Sequence, residues 1–319
     1  MKKAFITGGS GFAGQHLARE LKSHGFEVYS FDRGHPVTDK SLFKHAFQGD
    51  LLKKRLLRKV ITDLKPDAVF HLAAQASPGL SFEKPKLTFE VNVLGTVNLL
   101  KTIIDIRKNW AEYNPKIVIA ASADIYGKVR SSQLPITEKI PFNPTNPYAV
   151  SKISVYFLSK VFVKAYGLKI VIAVPFNHSG PGQREGFFIP DMCVQIARIE
   201  KGRQRPEILT GNLDSKRDIV DVRDIVRGYR LMMEKGNDGE EYLMCSGKSW
   251  SMQELLDKLM GMSVVKVFHR YDESRMRPVD FPDIYGSFEK AKKHLGWEPR
   301  LRLENTLRDT LDWYRSLVV

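Results

Sequence analysis

Cysteine is almost absent from this sequence, which has only Cys193 and Cys245. Two thiols so far apart cannot build a disulfide framework, and a reducing cytoplasm is the expected setting. No apolar run approaches the ~18 residues of a membrane span. The opening Met1-Lys2-Lys3 is followed by only Ala4-Phe5-Ile6 before glycines begin, too short a core for a signal peptide. Internal repeats and low-complexity tracts are also missing, which excludes a solenoid. His, Cys and Asp never cluster at metal-ligand spacing, so no metal is expected. These shortages leave a globular protein that works without membrane, disulfide or metal.

Acidic residues are in deficit, 36 against 50 Lys and Arg, for a formal net charge of +14. Such a balance attracts anions. The densest basic stretch, "KKRLLRK" (53–59), sets leucines among its cations at helical spacing and reads as a helix with one solvated face. No aromatic-rich binding motif accompanies it, so nucleic acid is not an expected partner and an anionic small substrate is.

The 319 residues suit one large or two modest domains. Apolar strands are expected at 3–7, 27–31, 68–73, 116–121 and 169–174. Helices are expected between them at 12–23, 51–64, 86–108 and 147–166. Gly25 and Gly167 stand where helix C-termini favour glycine, and Pro85 and Pro147 where a first turn tolerates proline. The alternation predicts an α/β fold, a doubly wound parallel (Rossmann) sheet covered on both faces. After Pro175 the pattern loosens into Pro/Gly-rich segments. A helix near 222–234 and a strand near 241–245 are expected to rejoin the sheet. The domains are therefore read as 1–174 plus about 218–246 for the sheet, and about 175–217 plus 247–319 for a smaller, discontinuous substrate domain.

"TGGSGFAG" (7–14) follows the first strand and opens the first helix. Gly8, Gly9, Gly11 and Gly14 satisfy both G-x-G-x-x-G and G-x-x-G-x-x-G. A dinucleotide pyrophosphate needs close backbone approach, free amides at a helix N-terminus and tight helix–strand packing. In a strand–turn–helix setting this is a strong cofactor signal. Asp32 ends the second strand, where an acid binds ribose hydroxyls and repels a 2′-phosphate. Arg33 beside it could pair with that phosphate. The cofactor expected is NAD(P), with a lean to NAD from Asp32.

"NPYAVSK" (146–152) sets Tyr148 and Lys152 one helical turn apart. A nearby ammonium lowers a phenol's pKa and makes it a usable acid or base. Tyr156 and Lys160 repeat the spacing, but lie about 12 Å further down the axis, away from the crevice at the sheet's carboxyl edge. Tyr148 is the functional candidate and Tyr156 a packing one.

The glycine loop, "GDL" (49–51), "HLAA" (71–74), Asn92 in "VNVLGT", Ser122, the Tyr148/Lys152 pair and "GWEP" (296–299) together resemble the extended short-chain dehydrogenase/reductase superfamily, through nearly the whole chain. The resemblance implies that Asp50 and Leu51 border the adenine, while Phe12, Ala13, Leu72, Ala73, Ala74, Asn92 and Pro175 line the cofactor. Ser122 would hydrogen-bond the reacting oxygen and Tyr148 would transfer the proton. Lys152 would hold the nicotinamide ribose and lower the tyrosine pKa. It also implies a homodimer, paired through helices 86–108 and 147–166.

"PFNHSGPGQ" (175–183), "GNLDSKRDIVDVRD" (211–224) and "RMRP" (275–278) are similar to the nucleotide-sugar branch, especially enzymes acting on GDP-mannose and GDP-4-keto-6-deoxymannose. Gln75, Ser122, Asn177, Arg217 and Arg277 are the substrate-binding residues so implied, and a guanidinium fork suits a diphosphate. His178 reads as loop packing. Three reactions fit the Ser–Tyr–Lys set: 4-keto reduction, 4,6-dehydration and 4-epimerisation. Dehydratases of the branch carry an acid two positions after the hydroxyl residue, where this chain has Asp124. Some carry another at the intervening position, here Ala123. Asp124 reads either as the dehydratase base or as a turn carboxylate. Ala123 and the loop "FNHSGPGQ" bring the chain nearer the reductases that form GDP-rhamnose. A cofactor-sensing or nucleic-acid-binding Rossmann protein is the non-enzymatic alternative, and the intact proton-transfer set argues against it.

Overall fold

A computed structural model describes residues 1–34, 39–275 and 282–318. The first half runs β1 (Lys3–Thr7), α1 (Phe12–Ser23), β2 (Glu27–Asp32), β3 (His45–Gln48), α2 (Lys54–Leu64), β4 (Ala68–His71), α3 (Pro78–Glu83), α4 (Pro85–Phe89), α5 (Gly95–Arg107), β5 (Lys116–Ala120), α6 (Pro147–Tyr166) and β6 (Lys169–Pro175). The second half runs β7 (Asn177–Ser179), α7 (Phe188–Glu200), β8 (Glu207–Thr210), β9 (Lys216–Asp221), α8 (Val222–Lys235), β10 (Glu241–Met244), β11 (Ser249–Ser251), α9 (Met252–Met260), β12 (Phe268–Tyr271), α10 (Glu289–Leu295) and α11 (Leu303–Leu317).

Seven strands form one parallel sheet in the order β10-β6-β5-β4-β1-β2-β3, as the strand–helix alternation requires. Successive residues face opposite layers. Ala4, Ile6 and Val118 join a core with α1, α8 and Trp297, whereas Phe5, Ile117 and Ile119 join one with α2, α5 and α6. β10 pairs with β6, so the chain does rejoin the sheet late. β9 belongs instead to a three-stranded sheet with β7 and β11, and hands the chain back to the first layer through α8, which packs on α1. A third core of Cys193, Ile196, Leu255, Leu256, Leu307 and Leu311 holds α7, α9 and α11 together.

The expected helix at 86–108 is continuous but not uniform. α4 gives way to a π-helical turn at Glu90–Leu94 before α5 begins. Contrary to the sequence expectation, the combined Pro85–Arg107 run is long and apolar enough for a membrane span by length and composition. Its polar residues, Asn92, Thr96, Asn98 and Thr102, interrupt the apolar letters without breaking the helix, and 56% of its apolar window is buried inside the fold. α6 spans the expected residues. Pro147 is at its first position, Asn146 caps it by accepting from the Ala149 N–H at 2.7 Å, and Gly167 closes it in the left-handed region at φ 61°. A cap of this kind is worth about 1 kcal/mol and fixes the turn that carries Tyr148.

Candidate active site

The glycine loop is built for close approach. Gly8 has φ +77°, and a Cβ there would lie 2.7 Å from the backbone N of Ala73. A Cβ on Gly14 would lie 2.6 Å from the Gly9 carbonyl oxygen. Gly11 caps α1 without a side-chain hydrogen bond, which leaves the first-turn amides directed at an anion. Asp32 accepts from the Ser10 N–H through Oδ1 at 3.1 Å. Its Oδ2 is buried with no hydrogen-bond partner among the described residues. An unanswered carboxylate oxygen beside a phosphate-type loop suits the ribose hydroxyls of a dinucleotide. Arg33 is exposed.

Asp50 holds the Leu52 N–H at 2.9 Å, and the Leu51 carbonyl accepts from Asn98 Nδ2 at 2.9 Å, which orients this turn near the second and third strands. Leu72, Ala73 and Ala74 lie half-buried beyond β4, with Ala73 beneath Gly8. Pro175 ends β6, and Phe12 and Ala13 begin α1. Asn92, read as lining the cofactor, is tied into the fold by its own side chain. It is 1% exposed, its Oδ1 accepts from the Gln75 N–H at 2.7 Å, and its Nδ2 donates to Gln75 O at 3.1 Å and Ser151 Oγ at 2.9 Å. Gln75, read as a substrate ligand, spends its side-chain amide on Ser77 O (2.9 Å) and Thr88 Oγ1 (3.1 Å). Both residues tie structure together behind the site.

Ser122 follows β5 in extended conformation, and its Oγ accepts the Asp124 N–H at 3.2 Å. Its hydroxyl also hydrogen-bonds Tyr148. Lys152 lies one turn below, with Nζ donating to the Ala120 carbonyl at 2.7 Å and 5.8 Å from the Tyr148 ring centroid. Burial and then the Asp124 charge push the Tyr148 hydroxyl above the usual phenol range, the Ser122 hydrogen bond only partly opposing them. Lys152 was expected to lower the phenol's pKa, whereas burial and the Asp124 charge dominate the Tyr148 shift. The ammonium is bound to a carbonyl and is itself lowered by burial to about 8. Asp124 lies in the turn after Ser122, close enough for its charge to act on Tyr148, while Ala123 between them is buried and apolar.

Tyr156 and Lys160 are occupied elsewhere, as topology suggested. Lys160 Nζ pairs with Glu241 Oε2 at 2.5 Å, and Tyr156 packs edge-on against Phe142. A cleft opens beyond β6, lined by Asn177 and His178 on β7, Arg217 on β9, Asn212 and Phe187. Arg275 lines it too, a residue of the "RMRP" motif that the sequence reading passed over for its neighbour. Arg277 itself lies outside the described residues. His178 is more than loop packing. Its Nδ1 bonds to Phe176 O at 3.0 Å while the ring lines the cleft and stacks on Phe12.

A parallel Rossmann sheet with an anion-ready glycine loop, a half-buried acid ending its second strand, and serine, tyrosine and lysine converging beyond β5 defines an extended short-chain dehydrogenase/reductase. The chain belongs to the GDP-mannose 4,6 dehydratase family, whose model matches residues 5–310. It is 33% identical to the GDP-6-deoxy-D-mannose reductase of Pseudomonas aeruginosa, covering 98% of this chain and 97% of the relative. It is 28% identical to the GDP-mannose 4,6-dehydratase of Yersinia enterocolitica, over 95% of this chain and 91% of that one. The crystallised RMD from Pseudomonas aeruginosa, complexed with NADPH, superposes with a TM-score of 0.85 at 31% identity, over 99% and 98% of the two chains.

Proposed function

We propose that this protein reduces the C4 ketone of GDP-4-keto-6-deoxy-D-mannose to GDP-D-rhamnose with NAD(P)H. The observation that carries the reading is the state of Tyr148. Its hydroxyl is buried and bonded to Ser122, and a phenol protonated at neutral pH is the form that gives a proton to a new alkoxide. Beside it stands one carboxylate, Asp124, with apolar Ala123 where a further acid would serve C5 and C6 chemistry.

NAD(P)H supplies the hydride when bound to the glycine loop and Asp32. Ser122 donates a hydrogen bond to the ketone oxygen, Tyr148 gives it a proton, and the Lys152 ammonium keeps the pocket positive as negative charge develops on that oxygen. Arg217 and Arg275 take the diphosphate in the cleft. Asp32 favours NADH, whereas the Pseudomonas aeruginosa RMD structure holds NADPH. Exposed apolar side chains on α4, the π-helical turn and α6 support a homodimer. The two free thiols, both buried, suit a reducing cytoplasm.

The test supplies purified protein with the keto sugar nucleotide and either NADH or NADPH, following absorbance at the reduced nicotinamide band. Stoichiometric oxidation supports the reading. Dehydration is the second reading, favoured by the nearness of the Asp124 charge to Tyr148. Conversion of GDP-mannose to the keto sugar without net cofactor use would establish it instead.

A further inference from the structure

His71 ends β4 buried, is not among the residues lining the cleft, and has no part in the reaction just described. Its hydrogen bonds reach the Asn92 carbonyl, a second run leaves the Asn92 side chain, and the direction of each is fixed by counting hydrogens. Asn92 Nδ2 spends its two hydrogens on Gln75 O and Ser151 Oγ. Ser151 Oγ donates to the Tyr148 carbonyl at 2.7 Å. Thr96 Oγ1 gives its single hydrogen to the Asn92 carbonyl at 2.6 Å. Thr96 must therefore accept from His71 Nε2 at 2.8 Å, so Nε2 carries the proton. Burial, reinforced by the Lys152 charge, lowers the His71 pKa to about 3, and the ring is neutral. Its Nδ1 then accepts from Thr7 Oγ1 at 2.7 Å, and Thr7 in turn accepts from the Ala73 N–H at 3.4 Å.

The two runs together span the whole site from behind. The first starts at Ala73, on which Gly8 of the cofactor loop rests. It crosses β1 and β4 through Thr7 and His71, and enters the π-helical turn through Thr96 and Asn92. The second ends on the peptide of Tyr148, one turn from Lys152. The π-helical turn places the Asn92 side chain against both the Gln75 backbone and Ser151. The bonds from the histidine end on the Asn92 carbonyl and a second run leaves the Asn92 side chain for Ser151 and the Tyr148 peptide, so what a change at the histidine passes on is the placement of Asn92.

We propose that His71 is a positioning residue for Tyr148 and Lys152, acting through Thr96, Asn92 and Ser151 on the first turn of α6. The proposal rests on Tyr148 and Lys152 being the reacting pair, and not on which sugar nucleotide they act upon. Its arms are separable. In His71→Gln the amide nitrogen reaches the place of Nε2 and keeps the bond to Thr96. In His71→Asn an oxygen takes the place of Nδ1, so the Thr7 bond survives and the Thr96 bond is lost.

The experiment compares His71→Gln, His71→Asn and the near-isosteric Thr96→Val in the full chain. Its readouts are kcat and KM on the nucleotide sugar it turns over, thermal stability, and the nitrogen NMR signals of the His71 ring. Expected are a kcat at least tenfold lower with KM within twofold for His71→Asn and Thr96→Val, and near-normal kcat for His71→Gln. The double variant His71→Asn/Thr96→Val should be no slower than either single one. The wild-type ring should show a protonated Nε2 and an unprotonated Nδ1 from pH 5 to 9. Unchanged kcat in Thr96→Val, or losses in all three that only follow the loss of folded protein, would overturn the proposal. A protonated Nδ1 with bare Nε2 would overturn it even if no substrate were turned over, which separates its failure from failure of the assigned reaction.

Discussion

The ring of Phe12 lies over the imidazole of His178, their centroids 6.0 Å apart and their planes 7° from parallel. Phe12 opens α1 directly after the glycine loop, and His178 lines the cleft beyond β6. His16, one turn further along α1, meets the other side of Phe12 edge-on and bonds to Pro181 O at 2.8 Å. The helix that follows the glycine loop is therefore stacked on a residue that lines the cleft. An aromatic pair of this kind is worth about 0.5–1.5 kcal/mol. Replacing Phe12 by Leu should weaken GDP binding roughly 2- to 10-fold although Phe12 is not among the residues lining that cleft. Calorimetric titration with GDP checks this, and unchanged affinity would show the stack to be packing alone.

Lys152 illustrates a conflict between stability and chemistry. It is 6% exposed with one carbonyl partner, and burial lowers it from 10.5 to about 8. The fold thus disfavours the ammonium relative to the unfolded chain. This destabilisation is full below about pH 8 and fades as pH rises towards 10.5 and the unfolded chain loses the proton too. Lys152→Met should therefore abolish turnover yet stabilise the ligand-free protein at pH 7 by roughly 2–3 kcal/mol. Urea unfolding at pH 7 and at higher pH measures this. The advantage should shrink at the higher pH, and a variant less stable than wild type at pH 7 would contradict the account.

Asp124 raises the Tyr148 pKa through its charge. In Asp124→Asn that influence is gone, so the alkaline limb of the rate profile, where the tyrosine loses its proton, should move to lower pH. Turnover at neutral pH should stay within about fivefold, whereas removal of a true general base costs about 10²- to 10⁴-fold. A loss of the larger size would make Asp124 the base of a dehydratase.

Along α6, Val150, Phe157 and Val161 are 40%, 54% and 54% exposed. Phe89 and Leu94, on the neighbouring α4 and π-helical turn, are 36% and 52% exposed. Residues seven and four apart make a helical stripe, and a stripe this apolar suits a second copy. Phe157→Glu should convert a dimer to a monomer in light scattering without loss of secondary structure. A wild-type protein that is already monomeric at micromolar concentration would refute the pairing.

What the sequence made legible follows where its periodicities are undisturbed. β1, α1 and α6 match their expected bounds because an apolar pattern, a glycine or a proline marks each end. β3 escaped because it is an edge strand whose residues are almost all at least partly exposed and show no alternation. α7 escaped because Pro190 reads as a breaker, although in a first turn proline is tolerated. The π-helical turn left no mark in the letters at all. Among site residues, Ser122, Tyr148, Lys152 and the glycine loop were recoverable from local motifs. The bonds that tie Gln75 and Asn92 into the fold were not legible because their partners lie in other elements, and the rise in the Tyr148 pKa depends on burial, which spacing does not encode.

The most direct test of the central claim is the fate of hydride. With the keto sugar nucleotide and cofactor deuterated at the transferable position of the nicotinamide, the account predicts one deuterium at C4 of the product for each cofactor oxidised, with GDP-D-rhamnose as that product. GDP-mannose turned over with no net cofactor oxidation and no retained deuterium at C4 would contradict it.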